Sequence, residues 1–330
     1  MATDLTGTDA APAPTPGAPT AEGRSVRPGF LRRVFDSDLF WSFRRSPVTV
    51  LAACITLLLV LAAAFAPWIS PHDPFDLASL NLLDALNPPA WNDAGSWDFP
   101  LGSDDQGRDV LSGIFYGMRI SLVVGVASVL FAMVVGVTLG LLAGYRGGWV
   151  DTLVMRIADV QLSFPAILIA LLIDGVARSA VPRDMQENIA TAVVVLSIGL
   201  SYWVHYARTV RGSTMVEASK DYVQAARVIG VHPARILFSH ILPNAIGPVL
   251  VIATINLALA IITEATLSFL GVGIPPTQPS LGTLIRIGNN FLFSGEWWIA
   301  LFPGIVLAAL VLAVNLLGDW LRDALNPRLR

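Results

Sequence analysis

The acidic side chains of this 330-residue chain are the first candidates for chemistry, and several of them lie in one short stretch. Residues 102–109 read GSDDQGRD, so three carboxylates are close together in sequence. Such carboxylates could bind calcium, but this order lacks the alternating oxygen ligands and the terminal glutamate of an EF-hand loop. A turn that caps the following apolar run and faces an external protein explains the stretch better. Its residues of interest are Asp104, Gly107, Arg108 and Asp109.

Glu264 is the one carboxylate well inside a long apolar run, close to the end of that run. An ionisable group inside a membrane-length segment is by default a functional hypothesis. Two roles remain open for Glu264: a polar group in a pathway or gate, and a hydrogen-bonded brace between helices. Asn256 and Ser268, in the same part of the chain, are further candidates for a pathway or gate. For Asn256, an interhelical hydrogen bond is the simpler interpretation.

Several kinds of catalysis have no residues to support them. Lys220 is the only lysine and no Gly-Lys pair exists, so the chain cannot form a Walker A phosphate-binding loop. No HExxH motif is present, the four histidines are scattered, and the single cysteine, Cys54, excludes an internal disulfide. We therefore expect a protein that is not an enzyme, that binds no metal or cofactor itself, and that has no nucleic-acid partner.

The elements that position these few polar groups are strongly apolar. The mean hydropathy is +0.65, and 54% of the residues are hydrophobic against 14% charged, which is typical of an integral membrane protein. Five uncharged runs are long enough to span a membrane: 48–66, 120–144, 189–204, 245–263 and 297–318. A sixth candidate span, 152–173, contains Arg156, Asp159 and Pro165, and we include it because the charge topology otherwise fails to alternate. The sequence thus predicts an all-α fold with six transmembrane helices.

Charge distribution orients these spans, because Lys and Arg are retained on the cytoplasmic side. Both termini and the segment 205–243 are therefore expected in the cytoplasm. Of the 21 Lys and Arg residues, those on the external side are Arg108, Arg119, Arg178, Arg183 and Arg286. The expected parts are a disordered cytoplasmic tail (1–28), an amphipathic approach (29–47), the first membrane helix (48–69), an external acidic loop (70–118), a core of five membrane helices (119–318) and a cytoplasmic C-terminus (319–330).

Residues 221–230, DYVQAARVIG, form a polar insert that we call the elbow. Asp221 is a plausible N-cap, and Gly230 lies where a helix commonly ends in a left-handed residue. Pro233 then fits the first turn of a second helix, which Pro243 is expected to interrupt. The sequence therefore predicts a helix of two turns, a glycine corner, and a second helix joined to a membrane span.

Two interpretations of the elbow remain open from its residues alone. The small side chains of Ala225 and Ala226 would let another protein approach the helix backbone closely. Alternatively, the segment lies on lipid headgroups, with Arg227 and Arg235 facing phosphates.

Two local patterns predict packing rather than function. Gly136, Gly140 and Gly144 recur at four-residue spacing, which places them on one helix face and permits close approach of another helix. Arg156 and Asp159 are three residues apart, so they share a helix face and are expected to form a local ion pair.

The spacing within and after the elbow resembles a known signature. Gln-Ala-Ala at 224–226 precedes Gly230 by three residues, and Leu-Pro follows at 242–243. This is similar to the "EAA" signature of ABC importer permeases: Glu-Ala-Ala, three residues, Gly, nine residues, Ile, any residue, Leu-Pro. Gln224 replaces the glutamate and His240 the isoleucine, so a salt bridge of the family glutamate with an ATPase is not expected here. The coupling residues that the resemblance implies are Asp221, Gln224, Ala225, Ala226, Arg227, Gly230, Leu242 and Pro243.

Three further stretches resemble the peptide and nickel branch of that family, and the similarity extends over residues 30–330. The first is LGSDDQGRDVLSGIFYGMRISLVVG at 101–125. The second is EATLSFLGVGIPPTQPSLGTL at 264–284. The third is the closing FPGIVLAALVLAVNLLGDWLRDALNPRLR.

The resemblance implies a permease subunit with the type I ABC importer fold, in a bacterial cytoplasmic membrane, that carries dipeptides or oligopeptides. Its implied partners are a second homologous permease, two ATPases that bind ATP and Mg, an external substrate-binding protein, and the lipid bilayer. The elbow would then be the helix that couples this subunit to one ATPase.

Other functions are weighed against this interpretation. A nickel importer of the same family is one, although an external or intramembrane histidine cluster that would favour it is missing. An ion-coupled secondary transporter is another, although no internal repeat is evident. A membrane-embedded enzyme lacks its motifs, and a purely structural subunit would tolerate substitution of Ala225 and Ala226.

Overall fold

A computed structural model describes residues 43–76 and 80–324 of the chain. The predicted tail, 1–28, and the last residues, 325–330, lie outside the described part. The helices of the described part are, in chain order, α1 (Pro47–Ala64), α2 (Ala66–Ile69), α3 (Val110–Arg146), α4 (Gly148–Leu162), α5 (Ala166–Ser179), α6 (Arg183–Ala218), α7 (Asp221–Val228), α8 (Pro233–Ile236), α9 (Leu242–Phe269), α10 (Leu281–Asn289) and α11 (Trp298–Ala324). Short 3-10 turns lie at Leu82–Asp84 and Leu292–Ser294, and a π turn at Leu237–Ile241.

Within these residues, five stretches are helical, long and apolar enough to cross a membrane, and α4 and α5 together supply a sixth candidate. The two helices meet at an angle of 98°. Pro165 lies at the break, where its missing N–H and fixed φ end one helix and start the next. The sixth span that the sequence predicts therefore corresponds to two helices that meet at a sharp bend, as in a broken span or a re-entrant loop.

The helix α3 is longer than its apolar run, because a polar cap starts it early. The Asp109 carboxylate accepts hydrogen bonds from the backbone N–H of Leu111 at 3.3 Å and of Ser112 at 2.9 Å. The helix therefore begins at Val110 and continues for 37 residues to Arg146.

The helices α3 and α6 pack backbone to backbone along the glycine face of α3. A β-carbon added at Gly140 would lie 2.6 Å from the carbonyl oxygen of Ala207, and one at Gly144 would lie 2.7 Å from Cβ of Thr214. At Gly136 it would collide with the carbonyl oxygen of Trp203. Only glycine leaves room for this approach, which holds the two helices in one fixed register.

Ion pairs attach the broken span to α6. Arg208 of α6 pairs with Asp159, and Arg211 of α6 pairs with Asp151 of α4, with NH2 of Arg211 2.6 Å from Oδ2. The predicted local pair of Arg156 with Asp159 is therefore wrong. A guanidinium on the neighbouring helix reaches the Asp159 carboxylate, and spacing along one helix does not show such a competitor.

The two ends of the bundle differ in what they carry. At one end, which we call the elbow end, α7 lies near the last turn of α3. At the other, the loop end, α10 packs against the first turns of α3, where Gly113 and Gly117 approach Leu284. Buried side chains of α3 and of α5 to α9 form one apolar core, and those of α1, α3 and α9 to α11 form a second.

Candidate functional site

The elbow is a short helix closed by a glycine. The backbone of Lys220 is extended and that of Asp221 is already helical, so Lys220, and not Asp221, is the cap residue. Gly230 has φ of +80°, and its N–H donates to the carbonyl of Arg227 at 3.1 Å. The N–H of Val231 donates to the carbonyl of Ala226 at 3.0 Å. These two bonds form a Schellman motif, whose left-handed residue is favourable for glycine.

The two alanines of the elbow face in different directions. Ala226 is 8% exposed and joins the core with Val223, whereas Ala225 is exposed. The expectation that both alanines admit another protein is therefore wrong for Ala226. Adjacent positions of a helix point about 100° apart, so two neighbours rarely share one face.

The tip of the elbow carries exposed aliphatic side chains. Val228 is 87% exposed and Ile229 is 78% exposed, just before the glycine corner. The short helix thus presents Ala225, Val228 and Ile229 outward, at the end of the molecule away from α10. Exposed apolar residues grouped in this way are typical of a surface that contacts a protein or a membrane.

Polar contacts attach the elbow to the ends of three long helices. The guanidinium of Arg227 lies 4.5 Å from the ring centre of Tyr145, in the last turn of α3. The hydroxyl of Tyr222 donates to Glu217 of α6 at 2.7 Å, and it accepts from Nδ2 of Asn244 of α9 at 3.1 Å. Displacement of the elbow would therefore be transmitted to α3, α6 and α9 together.

Two further contacts fix the junction between α6 and the elbow. Lys220 Nζ lies 2.6 Å from the Glu217 carboxylate, and this hydrogen bond raises the pKa of Lys220. Nε2 of Gln224 donates to the carbonyl of Ala218 at 2.8 Å. A glutamate at 224 could not donate this bond, so the departure from the family signature has a local structural use.

Sequence reasoning missed the residues that hold the elbow. Tyr145, Glu217 and Asn244 lie at helix ends that flank the elbow, Tyr222 lies within it, and none of the four belongs to the signature. The sequence could have indicated these residues only by their position. A polar or aromatic side chain in a helix turn next to a short polar segment is close enough to bond to that segment.

Pro243 does not interrupt the second helix. The helix α8, the π turn at Leu237–Ile241 and α9 form one run of 37 residues, Pro233–Phe269. Pro243 falls in the first turn of α9, next to the wider turn, where its missing N–H disturbs no regular α-helical hydrogen bond. The helical run that follows the glycine corner is therefore continuous and of membrane length.

The second polar site is a buried cluster around Glu264, at the loop end of α9. Glu264 is 0% exposed, and its two oxygens accept hydrogen bonds from the hydroxyls of Ser121 and Ser268, each at 2.7 Å. Ser268 accepts from the N–H of Ile274 at 3.1 Å, and Ser121 from that of Leu281 at 3.4 Å. The carboxyl group thus joins α3, α9 and the start of α10, a geometry that favours the brace over the pathway group.

Asn256 lies between helices rather than on an open surface. It is buried on α9, beside Tyr206 of α6, which is also buried. Nδ2 of Asn256 and the hydroxyl of Tyr206 have no hydrogen-bond partner in the described part of the chain, so the interhelical hydrogen bond stays a prediction.

Two carboxylates of the acidic turn before α3 form hydrogen bonds with groups of the same chain. Asp104 accepts the N–H of Arg108 at 2.9 Å and pairs with its guanidinium at 2.6 Å. Asp109 caps α3, and Gly107 has φ of +78° between them. Oδ1 of Asp105 has no hydrogen-bond partner among the described residues, and burial raises the pKa of this carboxyl. Among the described residues, no three His, Cys, Asp or Glu side chains group closely enough to hold a metal ion.

Comparison with protein families gives two matches that together span most of the chain. Residues 136–330 match the family described as "Binding-protein-dependent transport system inner membrane component". Residues 37–89 match "N-terminal TM domain of oligopeptide transport permease C".

Several bacterial permease proteins are similar to this chain over most of its length. The di/tripeptide transport system permease protein DppC of Pseudomonas aeruginosa (strain UCBPP-PA14) is 36% identical over 95% of this chain and 97% of its own length. The dipeptide transport system permease protein DppC of Escherichia coli (strain K12) is 40% identical, over 88% of this chain and 93% of its own. The glutathione transport system permease protein GsiD of Pectobacterium atrosepticum is 39% identical, over 88% and 91%.

A solved structure shares the fold. A chain from the inward-facing MetNI methionine ABC transporter superposes with a TM-score of 0.51 at 21% identity, over 65% of this chain and 96% of that one. At this identity the similarity concerns the fold alone. The all-helical, multi-pass permease fold that the sequence predicts is thereby confirmed.

Proposed function

The chain belongs to the family of binding-protein-dependent transport system inner membrane components, and from that premise we propose that it is a permease subunit of an ATP-driven importer of short peptides. As a permease it is not itself an ATPase. Relatives named for di/tripeptide and dipeptide transport, similar over 95% and 88% of the chain, support the substrate class.

The elbow is the part of this subunit that we assign to contact with an ATPase. Its exposed aliphatic tip and its polar contacts with α3, α6 and α9 carry this proposal. An ATPase that moved residues 221–230 would move the ends of three long helices at once. The subunit thus supplies the pathway and a mechanical connection, and the ATPases supply the chemistry on ATP and Mg.

The elbow end then lies in the cytoplasm and the loop end outside. Arg146, Arg208, Arg211, Arg227 and Lys220 lie at or near the elbow end, as expected of a cytoplasmic surface. The acidic segment before α3 lies at the loop end, where Asp104, Gly107, Arg108 and Asp109 build a turn that can face an external protein. We therefore assign the subunit to a bacterial inner membrane, with both termini on the cytoplasmic side.

The remaining partners follow from the same assignment. A second homologous permease completes the pathway, two ATPases dock at the elbow end, and a substrate-binding protein delivers peptide at the loop end. Within this chain, we assign Glu264 and Ser268 to bracing α9 against α3 and α10, rather than to the pathway itself.

The assignment of the elbow is tested by the substitution Ala225→Arg. A long charged side chain on the outward face should stop an ATPase from seating on the helix. Central interface residues are typically worth about 2 kcal/mol or more, so we expect peptide-stimulated ATP hydrolysis to fall by at least about tenfold. The measurement is ATP hydrolysis of the purified importer with and without its loaded binding protein, together with the amount of this subunit in the membrane.

Ala180→Arg is the matched control, because Ala180 is exposed near the loop end, far from the elbow. It should leave stimulated hydrolysis unchanged. If Ala225→Arg is inserted normally and hydrolysis is stimulated as in the wild type, the elbow does not couple the subunit to an ATPase.

A further inference from the structure

A cavity of about 700 Å³ opens at the loop end of the chain. It lies between the early turns of α3, the start of α6 and residues 275–278. One side is aromatic: the rings of Phe75 and Tyr116 pack edge to face, 5.0 Å apart. Ligand sites commonly have volumes of about 300–1,000 Å³ and combine apolar walls with a few polar groups.

Two opposite charges line this cavity, Arg119 from α3 and Glu187 from α6. Both side chains are exposed, and neither forms an ion pair with another residue in the described ranges. Glu187 accepts a hydrogen bond from the hydroxyl of Thr277, which directs the carboxylate toward the 275–278 segment. A charged side chain on a membrane helix is costly unless it is paired or faces water, so the cavity is where these two charges can meet a ligand.

The segment that closes the cavity is held in place by side chains from elsewhere in the chain. Nη1 of Arg108 donates to the carbonyl of Pro276 at 3.4 Å, and Nη2 of Arg178 donates to the carbonyl of Gly273 at 2.6 Å. Arg178 is itself paired with Asp174 at 2.7 Å. The wall formed by residues 275–278 is therefore a positioned surface.

We propose that this cavity binds a short peptide in its zwitterionic form, with Arg119 contacting the terminal carboxylate and Glu187 the terminal ammonium. This inference rests on the proposed function and adds a contact that this subunit makes with the cargo itself. Thr191 offers a hydrogen bond to the peptide backbone, and the Phe75–Tyr116 wall accepts an apolar side chain. A bare cation would leave Arg119 unpaired and close to a like charge, so a zwitterion fits the lining better.

Thiol protection tests this binding directly. In the assembled importer in nanodiscs, Gln278→Cys in a Cys54→Ser background places one thiol of this subunit at the cavity. We expect trialanine to slow labelling of that thiol by a membrane-impermeant reagent in a saturable manner. Trialanine amide, which lacks the carboxylate, and N-acetyl-trialanine, which lacks the ammonium, should need about three- to tenfold higher concentrations. Asn92→Cys, on the exposed external loop, is the control and should label at one rate throughout.

Charge-removing variants assign each end of the peptide to its residue. Arg119→Gln should abolish the preference for trialanine over its amide, and Glu187→Gln should abolish the preference over the N-acetyl form. Asp93→Asn, an exposed carboxylate outside the cavity, should preserve both preferences. Absence of protection by trialanine in the otherwise wild-type protein, or preferences that survive both Gln variants, would overturn the proposal.

Uptake separates this inference from the proposed function. If the wild-type importer takes up trialanine with its binding protein, yet trialanine does not protect the thiol in the Gln278→Cys importer, only the proposal that the cavity binds peptide is refuted. A wild-type importer that takes up no peptide refutes the proposed function.

Discussion

The elbow and the Glu264 cluster lie at the two ends of α9 and differ in what covers them. At the elbow, Val228 and Ile229 are almost fully exposed. In the cluster, Glu264 is completely buried, and serines of this same chain occupy both of its oxygens. The buried carboxylate is thus satisfied by groups of the same chain, whereas the aliphatic side chains of the elbow remain at the surface of this chain. Substitutions in the cluster should therefore mainly lower stability, and substitutions at the elbow should mainly lower coupling.

The largest effect is expected from Glu264→Ala. The hydroxyls of Ser121 and Ser268 would lose their acceptor in a buried site, and a buried polar group without a partner costs about 1–3 kcal/mol. The thermal denaturation temperature of the purified importer should fall, and peptide uptake should fall with it. Glu264→Gln keeps one acceptor oxygen, so it should lower uptake less while assembly persists.

This comparison also separates the two roles of Glu264. If Glu264 is a brace, thermal stability and peptide uptake should decline together in Glu264→Ala and in Glu264→Gln. Asp93→Ala, on the exposed loop, is the control and should change neither. Loss of uptake at unchanged stability would instead indicate a pathway group. Wild-type uptake by Glu264→Gln would remove the pathway role.

A smaller effect, confined to the elbow, is expected from Gly230→Ala. No atom lies within 4 Å of a β-carbon built at Gly230, so the cost comes from the left-handed backbone alone, about 1 kcal/mol. The glycine corner should loosen, and stimulated ATP hydrolysis should fall severalfold in an importer that still assembles.

Gly247→Ala is its matched control. Gly247 also has open space around it but lies inside α9 without a positive φ, where alanine is the better helix former. Equal hydrolysis in the two variants would show that the corner geometry does not matter for coupling.

The smallest effect belongs to the pairs between α4 and α6. Asp159 and Arg208 are about half exposed, and exposed pairs contribute about 0–1 kcal/mol. Asp159→Asn should therefore barely shift the denaturation temperature. Asp151→Asn, which breaks a less exposed pair with Arg211, should shift it more. The reverse order would mean that burial does not set the strength of these pairs.

The sequence was sufficient for features that depend on composition and local geometry. Apolar length located the spans, the positive φ at Gly230 followed from its position after a short helix, and four-residue spacing placed Gly136, Gly140 and Gly144 on one face. Each of these depends on a few neighbouring residues and on the periodicity of a helix.

The features that could not be predicted depend on contacts between distant residues. Asp159 pairs with Arg208 because α4 packs along α6, and Ala226 turns inward because Val223 already faces the core. Pro243 is accommodated by a π turn, which no helix propensity foretells. Arg119 and Glu187 are far apart in sequence, so only the packing of α3 beside α6 brings them to one cavity.

The central claim is that the elbow contacts an ATPase, and site-specific cross-linking tests it most directly. A photoreactive thiol reagent attached to Val228→Cys, in a Cys54→Ser background, should cross-link this subunit to an ATPase in the assembled importer. The same reagent at Asn92→Cys should give no such product. If the reagent at residue 228 reaches no ATPase in the nucleotide-free, ATP-bound or ADP-bound importer, the elbow lies free and the account is wrong.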